Sequence, residues 1–471
     1  MSSTSARTAT TNKSGEIRAL LAIAWPMIIA QTAQSGTGVV DTIMAGRYDA
    51  VDLAAIAIGY NIWLPLALFF IGLSLGATTI IAQDFGAGRI EKIRESLPQA
   101  LWLALAVGLA AGPLCYSAAP LLDLLDLDQV TYDKSLDYLQ AVAFGLPAMA
   151  VFQALRCHTQ GIGIMRPFAV ASVIGFLANI PLNYALIYGR WGAPELGAAG
   201  CGWATAISMW LSPVLISFYM LRARALQPYL PARWSLPRLA AIREIWRLGL
   251  PMGTSFFLEI AVFSIISLLI ATLGNTAMAS HQIAFNVWDV VYIFLISIGS
   301  AMGTRVGHAI GAGDRPGVHR ALVCGGAVNI VIAVLCMAVL LGAPALIISA
   351  YTEDAAIHAM ATGLITLAGF FVIIDSVHIT VTFCLRAYKD TLFPFLILCA
   401  CYWLVTLPVG YWLGIVIADT AAAGTLGFWR AMIGGVALAT LILFVRLRWR
   451  LRQALPEPAD IDADNPSALQ V

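Results

Sequence analysis

The sequence predicts an all-α integral membrane protein, with twelve transmembrane helices arranged as two parallel-repeat lobes of six helices each. Three observations lead to this fold class: the composition, the distribution of basic residues, and an internal repeat. Of the 471 residues, 60% are hydrophobic and only 11% are charged. A soluble globular protein carries roughly 25% charged residues, so most of the outer surface of this protein must face lipid.

The twelve predicted helices are apolar stretches of the required length. A helix needs ~20 mostly apolar residues to cross the hydrocarbon core of a bilayer. The predicted spans are 17–44, 53–82, 97–118, 135–157, 166–188, 198–221, 245–273, 277–308, 319–343, 355–385, 392–417 and 424–446. Turn-forming residues occupy the intervals, as at 86–88 and 311–313, which both read Gly-Ala-Gly.

The basic residues predict the orientation of these spans. With the N-terminus in the cytoplasm, 23 of the 27 Lys and Arg residues fall on the cytoplasmic side, in agreement with the positive-inside rule. The four on the outer side are Arg47, Lys134, Arg190 and Arg430. Acids such as Asp126 collect on that outer side. An odd number of spans would place the arginine-rich C-terminal segment outside, so we expect a multi-pass protein of the cell inner membrane with both termini in the cytoplasm.

The chain aligns with itself at a shift of 225 residues over about seventy positions. Matched pairs include Pro26 with Pro251, Asn61 with Asn286, Trp63 with Trp288, and Thr79 with Thr304. Because each repeat holds six spans, the two halves are predicted to be parallel, as in transporters whose lobes enclose a cleft that opens to each side in turn. Pro26 and Pro251 either bend helices that shape this cleft or only kink them.

The repeat and the charges together predict five regions. These are an N-terminal cytoplasmic tail (1–16), an N-lobe (17–221), a cytoplasmic linker (222–244), a C-lobe (245–446) and a C-terminal cytoplasmic tail (447–471).

Two carboxylates are predicted near the middle of the membrane, where a charge is costly and is a functional candidate by default. Glu259 lies twelve residues after Arg247, and Asp375 lies eleven residues before Arg386. At 1.5 Å per residue, both acids are ~16–18 Å from the cytoplasmic edge. They could share a proton or hold a cation between them; the alternative is two acids that are hydrogen-bonded separately. Position 259 corresponds to Gln34 in the repeat, so the pair belongs to the C-lobe alone.

Other polar residues within the spans are weaker candidates, and their roles are open. Asp41, near the outer end of the first span, either reaches water or lines an N-lobe cavity. Asn179 and Asn183 share a helix face and serve either as interhelical contacts or as polar groups of that cavity. His378, one turn after Asp375, either hydrogen-bonds near the acids or packs on its helix. Further candidates for a drug-binding cavity are Gln34, Gln282, Asp289 and Phe371.

The sequence argues against several other classes of protein. A net charge of +1 offers no basic face for nucleic acid. The six histidines do not cluster and the eight cysteines form no Cys-x-x-Cys pair, so we expect free cysteines, no resident metal and no membrane-embedded enzyme. A channel is disfavoured because no selectivity loop is repeated.

Several short motifs, in matching order and spacing, resemble the multidrug and toxic compound extrusion (MATE) transporters of the NorM branch. These motifs are 39–46 (VVDTIMAG), 82–88 (AQDFGAG), 281–284 (HQIA), 305–308 (RVGH) and 385–390 (LRAYKD). The resemblance implies export of amphipathic, often cationic, drugs by proton- or sodium-coupled antiport through alternating access of two lobes, and hence antibiotic resistance. It implies no cofactor besides the coupling ion. We expect small-molecule drugs, organic cations and membrane lipids as the partners of a monomer.

The resemblance also implies residue roles. Glu259 and Asp375 correspond to the C-lobe cation site, where sodium would be a transient ligand, and Asp41 corresponds to a functional acid of the N-lobe. Some relatives carry Tyr one turn before the tenth-helix acid, where this chain has Phe371. Because Phe offers no oxygen ligand, this difference favours protons over sodium.

An alternative function, on a related fold, is a flippase for lipid-linked oligosaccharides. It predicts a basic cleft for a diphosphate, yet the first, second, seventh and eighth spans carry no Lys or Arg near mid-membrane.

Overall fold

The structure, a computed structural model, describes residues 12–125 and 127–455. Asp126 and the greater part of both predicted tails lie outside the described residues. The long helices are α1 (Lys13–Tyr48), α2 (Ala50–Gly86), α3 (Ile90–Tyr116), α4 (Gln129–Ala143), α5 (Leu146–Ile162), α6 (Arg166–Tyr188), α7 (Ala198–Arg222), α8 (Leu239–Ala271), α9 (Asn275–Gly311), α10 (Arg315–Gly342), α11 (Ala355–Ala387), α12 (Leu392–Val416) and α13 (Ala421–Arg452).

The helices confirm the predicted all-α membrane fold. Eleven of them are long and apolar enough to cross a bilayer. Helices α4 and α5, bent by 44° at a short break, pass the same test together and correspond to the predicted span 135–157. Pro147 lies in the first turn of α5 and has no N–H to continue the hydrogen-bond ladder of α4. Counting the bent pair as one span gives the predicted twelve.

Among the described residues, the chain divides into two compact units. The first comprises residues 25–253, and the second comprises 12–24 together with 254–455. The points at which the chain passes from one unit to the other lie inside α1 and α8, next to Pro26 and Pro251. Each of these two helices therefore contributes its first part to one unit and its remainder to the other.

The start of α1 is attached to the second unit by a bidentate ion pair. Arg305 of α9 donates from Nε to Glu16 Oε1 at 2.8 Å and from Nη2 to Glu16 Oε2 at 2.7 Å. One turn further along α1, Leu20 is fully buried. A two-pronged guanidinium–carboxylate pair fixes orientation as well as distance, so it holds the N-terminal end of α1 in a defined position on α9.

The start of α8 packs backbone to backbone on α2 within the first unit. Gly72 and Gly76 of α2 face Gly249 and Gly253 of α8. A Cβ atom on Gly249 would lie 2.0 Å from the carbonyl oxygen of Leu73, and one on Gly72 would lie 2.5 Å from the Cα of Gly253. Both helices thus carry a small-xxx-small motif, which lets membrane helices approach closely.

The predicted outer end of the first unit contains a buried acid that joins three helices. Asp52, at the start of α2, accepts a hydrogen bond from the N–H of Ala198 at 2.6 Å and forms an ion pair with Lys134. Lys134 also lies 3.3 Å from Asp49. Lys134, one of the four predicted exceptions to the positive-inside rule, is therefore neutralised by acids beside it.

All eight cysteines are free, and six of them are buried.

Candidate functional site

The two predicted mid-membrane acids lie near each other in the second unit. Glu259 is in α8 and Asp375 is in α11, and their carboxyl groups interact electrostatically. Asp375 is only 4% exposed; the indole N–H of Trp288 interacts with its carboxyl group, but Oδ2 makes no hydrogen bond of regular geometry within the described residues. A buried carboxyl oxygen without a donor is unfavourable unless it carries a proton or accepts a cation. The arrangement suits reversible binding of either one.

Aromatic side chains surround the acid pair. The hydroxyl of Tyr402 donates to Glu259 Oε1 at 3.1 Å. The Tyr402 ring lies 6.1 Å, between centroids, from that of Phe263, which in turn lies 6.0 Å from Trp288. Trp288 stacks on Phe371 at 5.6 Å with an interplanar angle of 13°. This apolar surround makes a bare negative charge on the acids costly and so strengthens their attraction for a cation.

A buried guanidinium is the cationic neighbour of the acid pair. The sequence places Arg386 at the cytoplasmic edge, but the structure buries it over the rings of Phe256 and Phe383, at 5.2 and 4.8 Å from their centroids. Arg386 interacts electrostatically with Glu259. Arg156, which corresponds to Arg386 in the repeat, is also buried, 4.7 Å above a phenylalanine ring in the first unit.

The third predicted acid, Asp41, is the centre of a polar cluster in the first unit. Asp41 is 6% exposed, so the alternative that it simply reaches water does not fit. Asn183 donates from Nδ2 to Asp41 Oδ1 at 2.6 Å and to Asn179 Oδ1 at 2.8 Å. Thr205 donates to Asp41 Oδ2 at 3.2 Å. Helices α1, α6 and α7 thus meet around one carboxyl group, and Asn183 makes the contact between α6 and α1.

The structure leaves two predicted cavity residues with partners of their own. His378 pairs through Nδ1 with Thr440 Oγ1 at 3.2 Å, so its ring is directed to α13 and not to the acids. Gln34 donates from Nε2 to Ser172 Oγ at 3.2 Å, which joins α1 to α6. Among the residues that the structure describes, no three His, Cys, Asp or Glu side chains form a group suited to a metal ion.

Gln282 and Asp289 lie on one exposed face of α9. They are spaced i and i+7, with the exposed Asn286 between them. Asn286 donates to the carbonyl of Gln282 at 2.9 Å, and its repeat counterpart Asn61 donates in the same way to the carbonyl of Ala57 at 2.9 Å. Polar side chains are costly against lipid, so this face is expected to border water or a polar ligand.

Two residues of these clusters, Tyr402 and Thr205, are not among the candidates that the sequence predicts. Hydroxyl-bearing side chains are tolerated in membrane helices, so neither residue gives the signal that an acid gives. In addition, Tyr402 lies in a π-helical segment, Ala400–Thr406, where the usual 3.6-residue period does not give the direction of a side chain. The repeat does not give this residue either, because Ser172, the hydroxyl partner of Gln34, aligns with Cys399, one turn before Tyr402.

Both halves of the chain resemble one known sequence family. The family model MatE matches residues 26–185 and 251–412. The two matched segments begin at 26 and 251, which is the 225-residue shift of the internal repeat.

Individual relatives resemble the chain over nearly its whole length. Multidrug resistance protein MdtK of Edwardsiella ictaluri is 38% identical and covers 93% of this chain and 96% of its own. Multidrug resistance protein PmpM of Pseudomonas aeruginosa is 37% identical, with 97% and 96% coverage. Multidrug resistance protein NorM of Vibrio cholerae is 37% identical, with 92% and 96% coverage.

Solved structures show the same fold at lower identity. The crystal structure of the eukaryotic MATE transporter AtDTX14 has a TM-score of 0.83 and 20% identity, covering 93% of this chain and 99% of its own. The outward-facing conformation of a multidrug resistance MATE family transporter of the MOP superfamily has a TM-score of 0.82 and 18% identity, with 93% and 96% coverage.

Proposed function

The chain belongs to the MatE family, and from this premise we propose that it exports amphipathic, often cationic, drugs in exchange for a coupling cation. Family membership confirms the resemblance drawn from the short motifs. The protein is a transporter and not an enzyme, and its curated relatives are named for multidrug resistance. The comparisons do not favour the flippase alternative.

The observation that carries the proposal is the acid pair of Glu259 and Asp375. One cation, or one proton, bound there neutralises charge in an aromatic surround that disfavours it. Entry of the cation from the outside and its release to the cytoplasm would supply the energy for drug export through alternating access of the N-lobe (17–221) and the C-lobe (245–446).

Polar groups outside the acid pair complete the proposed transport route. Asp41, held by Asn183 and Thr205, serves as the functional acid of the N-lobe. The exposed face that carries Gln282 and Asp289 receives the cationic part of the drug.

An Asp41→Asn variant tests the N-lobe assignment by drug uptake into everted vesicles. Unchanged exchange would remove Asp41 from the mechanism.

We propose the proton as the coupling ion, because Phe371 offers no oxygen and a carboxylate pair alone carries a proton. In everted vesicles, a proton gradient imposed without sodium should drive uptake of ethidium, a fluorescent lipophilic cation. A sodium gradient imposed at equal pH should leave uptake at the level of vesicles without the protein. Uptake driven only by the sodium gradient would contradict the proton assignment and leave antiport itself intact.

We place the monomeric protein in the cell inner membrane among lipids, with the linker 222–244 and both termini in the cytoplasm. A reporter active only in the cytoplasm should be active when fused after Arg452 and inactive when inserted between α6 and α7. Activity at the α6–α7 connection would reverse the proposed topology.

A further inference from the structure

Helix α12 departs from α-helical geometry in two places. Residues Ala400–Thr406 and Trp412–Val416 are π-helical, with α-helical turns before and between them. π-Helical segments are rare, and they occur often at functional sites because they redirect side chains. The first of these segments contains Tyr402, whose hydroxyl contacts the acid pair.

Tyr402 is held firmly at this position. It is 4% exposed, and its ring lies against Phe263, which is one turn beyond Glu259 on α8. The carboxyl group of Glu259 accepts a hydrogen bond at Oε1 from the hydroxyl of Tyr402, at 3.1 Å. Tyr402 also interacts electrostatically with Asp375, so its hydroxyl lies near both acids.

The two halves of the protein make the same interhelical connection with different chemistry. In the first half Gln34 of α1 binds Ser172 of α6, and in the second half Glu259 of α8 binds Tyr402 of α12. Gln34 and Glu259 are repeat partners. The first pair is neutral and cannot ionise, whereas the second couples a carboxyl group to a phenol.

Helices α6 and α12 themselves correspond in the repeat. Pro167 and Pro181 precede Pro394 and Pro408 by 227 residues each. By this alignment Ser172 matches Cys399, one turn before Tyr402. In the second half, the hydroxyl group that binds the acid therefore lies one turn further along the helix than in the first half. This position is inside the π-helical segment, in the half that holds the acid pair.

We propose that Tyr402 is a positioning residue of the coupling-cation site: its hydroxyl fixes Glu259 Oε1 and so sets the affinity of the acid pair for the coupling cation. A tyrosine hydroxyl that donates to a carboxylate holds it in one orientation and stabilises its ionised form. Phe371 contributes ring stacking on Trp288 in this arrangement and no ligand. The inference rests on the proposed function, because it assigns a role within the same acid site.

The test compares Tyr402→Phe with Tyr411→Phe in everted vesicles. Both variants remove one phenol oxygen from α12, but Tyr411 is 49% exposed. Ethidium uptake is measured over a range of proton and of sodium concentrations. Loss of a hydrogen bond to a charged group weakens an interaction about tenfold or more, so Tyr402→Phe should change the cation concentration for half-maximal uptake by at least about tenfold, while Tyr411→Phe behaves as wild type.

Either direction of change supports the proposal and identifies the role of the hydroxyl. A higher cation requirement indicates that the hydroxyl had held Glu259 in the orientation that binds the cation, whereas a lower requirement indicates that the hydroxyl had stabilised the ionised carboxyl group. Ethidium binding to the purified protein should be unchanged in both variants, which excludes a folding defect. An unchanged cation requirement in Tyr402→Phe overturns the proposal, and so does a change that Tyr411→Phe reproduces.

Glu259→Gln distinguishes this failure from failure of the proposed function. If Glu259→Gln abolishes uptake while Tyr402→Phe leaves the cation requirement unchanged, only the role of Tyr402 is wrong. If Glu259→Gln and Asp375→Asn both transport as wild type, the acid site itself is wrong.

Discussion

Glu259→Gln and Asp375→Asn should each reduce cation-coupled drug exchange to the background of vesicles that lack the protein. Both substitutions keep the shape of the side chain and remove the group that binds a proton or cation. The remaining carboxyl group is then left without its acidic partner, beside an aromatic surround and the guanidinium of Arg386. When one carboxyl group of the pair is lost, the site no longer binds the coupling cation. Drug transport then lacks its energy source, and exchange stops.

The measurement is ethidium uptake into everted vesicles under an imposed cation gradient, with protein amounts matched by immunoblot. Asp419→Asn serves as the matched control, because it removes the same charge from an exposed position between α12 and α13. The control should transport as wild type. Exchange at the wild-type rate in both Glu259→Gln and Asp375→Asn would refute the acid-pair mechanism.

Gly249→Ala should destabilise the folded protein by about 2–3 kcal/mol, the upper range for overpacking of a filled interior. The added Cβ would lie 2.0 Å from the carbonyl oxygen of Leu73, which belongs to the α2 backbone and cannot rotate away. Helices α2 and α8 must separate to admit it. This loss should exceed the gain of ~1 kcal/mol that alanine brings over glycine in a helix interior.

Thermal unfolding of the detergent-purified protein measures this effect. Gly434→Ala, in α13, is the matched control, since a Cβ placed at Gly434 would face open space. That variant should be as stable as wild type or slightly more stable. If Gly249→Ala unfolds at the same temperature as Gly434→Ala, the close packing of α2 on α8 does not contribute as argued.

The fold could be predicted almost completely from the sequence, for physical reasons. Lipid forces each crossing to be a long apolar helix whose backbone is satisfied internally. The bent pair α4–α5 was still recognised as one span, because hydropathy depends on composition and not on straightness. The exchange of helix starts between the units was not predicted, since it depends on contacts such as that of Glu16 with Arg305, which lie far apart in the chain.

The candidate site was predicted only in part. Glu259, Asp375 and Asp41 are evident from the sequence because a carboxyl group within an apolar membrane helix is costly and is therefore a functional candidate. Tyr402 and Thr205 give no such signal, and the sequence places Arg386 at the membrane edge although it is buried over two aromatic rings. Charge identifies the centre of a membrane site, but the neutral and stacked groups around it depend on which helix faces meet.

The ion pair between Glu16 and Arg305 attaches the start of α1 to the second unit, and the glycine contacts attach the start of α8 to α2 of the first unit. Each compact unit is completed by the start of a helix whose remainder belongs to the other unit. The arrangement is that of a domain swap, here fused into a single chain and performed by the same element of both repeats. A single repeat, produced alone, would therefore lack the helix start that completes its compact unit. Its own helix start would have no unit to pack against unless a second repeat were present.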